Sequence, residues 1–162
     1  MKLGVIVPLL EDPHAALRQV RELGFATCQV TCWRENLVNA EMAARLKTAA
    51  GENGVEITTI WLGVAGRHVW AFVAGPLTIG LVPPAPRAAR VATMKRGSDF
   101  ARAVGVPSIT THVGFIPENL TDPEYPGVVA ALKEVAGYCK QNGQEFWFET
   151  GQETPVVLLR TI

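Results

Sequence analysis

Apolar positions along this chain follow two alternating rhythms. Five short runs, at residues 3–7, 27–33, 56–62, 108–113 and 145–149, are apolar throughout or alternate with period two, and they read as strands. Between them apolar residues recur at helical spacing. Ala16, Leu17, Val20 and Leu23 follow the N-cap pair Asp12-Pro13 and end at Gly24. Asn39 precedes a stripe of Met42, Ala43, Leu46, Ala49 and Ala50 that closes near Gly51 and Gly54. Val91, Met94, Ser98, Ala101 and Val104 mark a third helix ending at Gly105, and Val128, Val129, Leu132, Val135 and Cys139 a fourth, with Gly143 after it. Thr154-Pro155 starts a fifth. Two stretches carry no rhythm. Residues 64–86 hold Gly66, Gly75, Gly80, several prolines and the rings His68, Trp70 and Phe72, which predicts an ordered loop over a site. Residues 114–125 form a shorter polar loop.

The pattern is βα repeated, which predicts parallel strands joined by right-handed crossovers. Five units fit a flavodoxin-like open sheet. They also fit the first five units of a (β/α)8 barrel, whose full length is about 250 residues. The open sheet calls for a Gly-, Ser- or Thr-rich phosphate loop after strand one. Here that loop reads Pro8-Leu9-Leu10-Glu11-Asp12. One face of strand two is polar (Thr27, Gln29, Thr31), and so is one face of strand four (Ser108, Thr110, His112). A sheet covered on both sides would be apolar on both. A barrel with a polar upper interior explains the row more simply. The expectation is therefore an α/β, TIM-barrel-type domain over residues 1–162, incomplete after strand five.

Composition narrows the partners. Hydrophobic residues make up 48% and charged residues 19%, as in a globular domain, and fifteen basic residues balance fifteen acidic ones. No basic patch favours nucleic acid. No apolar run reaches the roughly 18 residues of a membrane span, and the start lacks a signal-peptide pattern, so a cytoplasmic protein is expected. Three cysteines, Cys28, Cys32 and Cys139, have neither zinc spacing nor an even disulfide count and are expected to be buried thiols.

Three segments carry a resemblance. Phe148-Glu149-Thr150-Gly151-Gln152-Glu153-Thr154, Thr111-His112-Val113-Gly114-Phe115-Ile116-Pro117, and Gly75-Pro76-Leu77-Thr78-Ile79-Gly80-Leu81-Val82-Pro83 resemble the sugar phosphate isomerase/epimerase family, the xylose isomerase-like TIM barrels, related to apurinic-site endonucleases. The resemblance runs from strand one to helix five. It implies a sugar substrate and a divalent metal held by a Glu ending strand five, then an Asp, a His and a second Glu from later strands. Glu149 matches the first ligand; the strands for the other three are not in this sequence. Hard oxygen ligands imply Mn or Mg, and one His also admits Co or Zn. The implied chemistry moves a proton next to a carbonyl. This chain alone is expected to bind metal weakly and to be inactive, and its open strand edge makes self-association an expectation.

Single residues then take provisional roles. Glu149 is the candidate metal ligand and proton carrier; its bland reading is an acid placed before a helix N-terminus. His112, beside Gly114, is expected to touch substrate. Trp33 and Trp61 end strands two and three, where aromatic faces suit sugars, although tryptophan is equally a core residue. Glu153 is first a helix-capping acid and second a substrate contact. Glu145 and Glu149 share a strand face about 13 Å apart, too far for a shared acid–base pair. His14 is expected to be solvated, and His68 is left unplaced. Two other classes stay open. An apurinic-site endonuclease-like hydrolase would need more histidines than the three present. A non-enzymatic flavodoxin-like binding domain should not respond to Mn²⁺.

Overall fold

The computed structural model describes residues 2–150 and 153–162. Strands and helices alternate: β1 (Gly4–Pro8), α1 (Pro13–Glu22), β2 (Thr27–Cys32), α2 (Ala40–Asn53), β3 (Glu56–Leu62), α3 (Pro84–Val104), β4 (Ser108–His112), α4 (Tyr125–Gln141), β5 (Glu145–Glu149) and α5 (Pro155–Thr161). The caps form as their residue types require. The Asp12 carboxylate accepts the N–H groups of His14 and Ala15, Asn39 accepts that of Met42, and Thr154 accepts that of Val157. Gly54 and Gly105 end α2 and α3 in the left-handed conformation that glycine tolerates best.

The five strands are parallel and lie in chain order, β1-β2-β3-β4-β5. This excludes the flavodoxin-like alternative, whose order is 2-1-3-4-5. Crossovers of one hand between successive neighbours set every helix on the same side. Accordingly α1 packs on α2, α2 on α3 and α3 on α4. The helix side of the sheet supplies Cys28, Val30, Cys32, Ile57, Ile60, Leu62 and Ile109 to one apolar cluster with Leu17, Val20, Leu46, Met94, Val128 and Val135. Among the described residues no helix covers the opposite, concave side. Parallel β2 and β3 pair in register except at one point: Cys28 faces Ile57, but Gln29 faces Thr59, so Thr58 is a bulge.

Two boundaries differ from the sequence reading. Helix α3 begins at Pro84, inside the stretch read as loop. Pro84 and Pro86 occupy its first turn, where backbone N–H groups have no helical acceptor and proline costs nothing. In α4 the buried stripe runs through Ala131, while Val129 is only half-buried. Residues 128, 131, 132, 135 and 139 follow the 3.6-residue repeat, and 129 falls one step round from them. No helix among the described residues is long and apolar enough to cross a membrane.

Candidate functional site

The concave face holds a pocket of about 630 Å³ lined by Ile6, Gln29, Thr31, Trp33, Thr58, Thr59, Trp61, Trp70, Thr110, Trp147, Phe148 and Glu149. Four tryptophans supply its walls. Trp33 and Trp61 follow one another around the rim, with ring centroids 4.8 Å apart and planes tilted by 43°. Trp33 rests over Gly63, where a Cβ would stand 2.4 Å from its ring; the missing side chain is what lets the indole lie there. His68 leans on the other side of Trp33 at 5.1 Å.

Glu149 ends β5 on this face. Its Oε2 accepts the indole N–H of Trp61. Its register partner on β4 is His112, one strand away, about 4.8 Å in the hydrogen-bonding direction. His112 is buried, and its Nδ1 accepts the Gly114 N–H at 3.2 Å. The neutral imidazole therefore carries its proton on Nε2 and offers a donor there. Trp70, from the β3–α3 loop, meets the His112 ring edge-on at 5.0 Å and 81°. Glu149, His112, Trp33 and Trp61 thus lie near one another at one end of the sheet.

Other expectations find different surroundings. Glu153 is half-buried, and its Oε1 accepts the Ile116 N–H at 3.4 Å, so it meets the β4–α4 loop. Gly151 and Gln152 of the same motif lie outside the described residues. The Glu145 carboxylate accepts the Trp147 indole N–H at 2.7 Å. His14 lies 3.4 Å from Glu52 on the helix side. Cys28, Cys32 and Cys139 are all free and buried, and burial pushes the first two thiols up to about 11 and about 12.

Sequence reasoning left Trp147 out of the site and placed Trp70 only within a loop over it, with no partner named. Trp147 was within reach, because period two puts it on the face of Glu149. Trp70 sits in an irregular loop, where no periodicity can assign a face. Thr110 of the polar row, and Thr58 and Thr59 of β3 beside it, prove less available than their composition implies. Thr58 donates to Cys28 O, Thr59 to Ser108 O and Thr110 to Trp147 O, at 3.1, 3.2 and 2.9 Å. These hydroxyl protons are committed to carbonyls of neighbouring strands, leaving lone pairs and methyl groups for the pocket.

A divalent metal needs several convergent donors. Among the described residues no three His, Cys, Asp or Glu side chains are grouped to hold one. Glu149 fits as a single oxygen donor at the mouth of the concave face, and the described residues do not complete a site around it.

Known proteins share this architecture. Over 99% of this chain and 56% of the other, a xylose isomerase domain protein from Planctomyces limnophilus superposes with a TM-score of 0.90 at 31% identity. D-psicose 3-epimerase with D-tagatose, from Clostridium cellulolyticum H10, matches 93% of this chain and 52% of its own at 19% identity and a TM-score of 0.66. D-allulose 3-epimerase from a Methylomonas species, in complex with D-allulose, matches 99% and 58% at 15% identity and 0.65. The chain thus spans little more than half the length of these structures. No curated protein sequence matches it. The family model described as xylose isomerase-like TIM barrel matches residues 17–161. With its strand order, its single helical layer and its rim of Glu149 and His112, this chain belongs to the xylose isomerase-like TIM-barrel family.

Proposed function

We propose that the concave face is one wall of the sugar pocket of a metal-dependent sugar isomerase or epimerase. The observation that carries this is Glu149: a carboxylate at the carboxyl end of β5, facing inward, in register with the His112 donor and flanked by indoles. Carboxyl ends of parallel strands are where barrels of this kind assemble their sites. The indole faces suit the apolar face of a sugar ring, and the His112 Nε2–H suits a sugar oxygen. The free carbonyl sugars in the epimerase structures, D-tagatose and D-allulose, are the first substrates to try.

The reaction takes a proton from a carbon beside a carbonyl and returns it. Glu149 is the group on this chain to receive or hold that proton, acting as general base and then acid. It is also the one oxygen ligand the described residues offer a divalent ion, Mn or Mg by its hard donor. Such an ion supplies Lewis-acid polarisation of sugar oxygens when bound. Trp61 orients the carboxylate through its N–H, and Trp33 and Trp70 supply further ring faces on the same wall. Among the described residues no further ligands gather around Glu149, so these 162 residues on their own are expected to bind metal weakly and not to turn over. A cytoplasmic location and self-association through the open β5 edge are part of the same reading.

The test is a thermal shift with Mn²⁺ on the wild-type chain and on Glu149→Gln, with epimerisation of D-tagatose followed in a version extended to the full barrel. A small upward shift lost in Glu149→Gln, and turnover of the extended protein abolished by the same substitution, are expected. An equal Mn²⁺ response in both proteins, or turnover surviving Glu149→Gln, would remove Glu149 from the site.

A further inference from the structure

The loop from β3 to α3 leaves the sheet at Gly63 and returns to it close by. Its returning leg is fastened where the Leu81 N–H donates to Val113 O at 2.8 Å. Beneath it lies Arg90 of α3, only 2% exposed. The Arg90 Nη1 donates to Gly80 O at 2.7 Å, and Nη2 donates to Arg67 O at 3.1 Å and Ala65 O at 3.3 Å. Nε reaches Ala65 O at 3.4 Å. One guanidinium therefore bonds the outgoing leg and the returning leg together. Among the described residues no carboxylate pairs with it.

A buried cation compensated only by carbonyls is a costly choice, since an apolar side chain could fill the same space. Burial holds its pKa below the usual arginine value. What an apolar residue lacks is the planar fork of donors that spans several acceptors in fixed geometry. The loop that this fork closes carries two rings of the pocket. Trp70 meets His112, and His68 meets Trp33. Thr78 adds a second pin inside the loop, accepting the Val69 N–H at 3.0 Å and donating to Ala74 O at 2.8 Å. The loop tip faces solvent, with Phe72 and Val73 82% and 90% exposed, and its own turns add the Ala71 N–H to Val69 O and Gly75 N–H to Ala71 O bonds.

We propose that Arg90 is a positioning residue for the pocket, clamping both legs of the β3–α3 loop so that Trp70 is set against His112 and His68 against Trp33. The use of those rings for a sugar rests on the reading above; the clamp does not, and it is tested without any sugar. Arg90→Lys keeps the charge but loses the fork. Arg90→Met keeps the volume and loses both. Native-state trypsin cleavage after the exposed Arg67 reports loop opening, and acrylamide quenching of Trp70, by difference against Trp70→Phe, reports its ring.

Losing hydrogen bonds to a charged donor corresponds to about a tenfold or larger change in a local opening equilibrium. Cleavage after Arg67 is therefore expected to rise at least about tenfold in both variants relative to cleavage elsewhere, with Trp70 more quenched and far-ultraviolet circular dichroism retained. Thr78→Val should increase Trp70 quenching with a smaller rise in Arg67 cleavage. A folded Arg90→Lys protein with wild-type Arg67 cleavage and Trp70 quenching overturns the clamp. So does an Arg90→Lys protein that fails to fold or is cut faster at every site alike, which would make Arg90 a general support of the core. Failure of the wild-type chain to bind D-tagatose would count against the sugar reading alone.

Discussion

The two faces of the sheet come from alternate residues of the same strands, yet they obey different rules. On the helix side Val30, Ile60 and Ile109 are sealed and interchangeable with other apolar groups of the same volume. On the concave side Gln29, Trp61, His112 and Glu149 are chosen for their polar atoms and ring faces. The packed core lies on the first side, and the polar and aromatic groups of the proposed pocket on the second. In an ordinary parallel sheet both faces are covered and this division is blurred. Here the sequential strand order leaves one face to function.

The largest effect should come from breaking the sealed side. Ile60→Ala, at a fully buried position, is expected to cost about 2–5 kcal/mol in urea unfolding with an unchanged m-value. Thr31→Ala, one position round on the concave face, should stay within about 1 kcal/mol. A cost for Thr31→Ala equal to that of Ile60→Ala would erase the distinction. Next is Gly80→Ala. Gly80 has φ of 67°, and a Cβ there would stand 2.1 Å from the Val113 carbonyl carbon, so about 1–3 kcal/mol should be lost in thermal unfolding. Gly51→Ala in α2, where nothing lies within 4 Å, should instead gain up to about 1 kcal/mol.

A third test uses pH. Cys28 and Cys32 sit on the sealed side with thiols raised to about 11 and about 12, against an ordinary value of 9.0. The folded state keeps these protons after the unfolded state has released them. Stability is therefore full below about pH 9 and falls as pH climbs towards the folded values. Cys28→Ala should flatten that decline, and neither thiol should react with iodoacetamide at pH 8 unless the protein unfolds; prompt native labelling would contradict their burial. The smallest effect belongs to the open side. Trp61→Phe removes one indole donor from an exposed carboxylate and should cost about 1 kcal/mol in thermal unfolding, with a change in near-ultraviolet circular dichroism.

Much of this division was legible in the chain. Alternation within β2, β4 and β5 assigned Cys28 and Val30 to one side and Gln29, His112 and Glu149 to the other, because a strand has only two faces. Helix ends were legible where a cap residue has a single job, as at Asp12, Asn39 and Thr154. The start of α3 was not, because proline signals both a loop and a first helical turn. The role of Trp70 was hidden by its loop, and that of Arg90 by its helix, where a cationic residue ordinarily reads as solvated. Thr110 was visible as part of a polar strand face, but its bond to Trp147 O, like those of Thr58 and Thr59 in β3, depends on register, which no single strand encodes.

The bulge at Thr58 acts as a parity switch. Were Thr58 paired regularly instead of bulging, the positions downstream in β3 would exchange sides: Ile60 would turn toward the pocket and Trp61 toward the helices. β1 pairs with β2, and β4 with β5, without such a shift, so the bulge bears on the face of Trp61 alone among the four tryptophans. Excising Thr58 would join Ile57 directly to Thr59, restore regular pairing with β2, and leave Ile60 and Trp61 on the faces they have now.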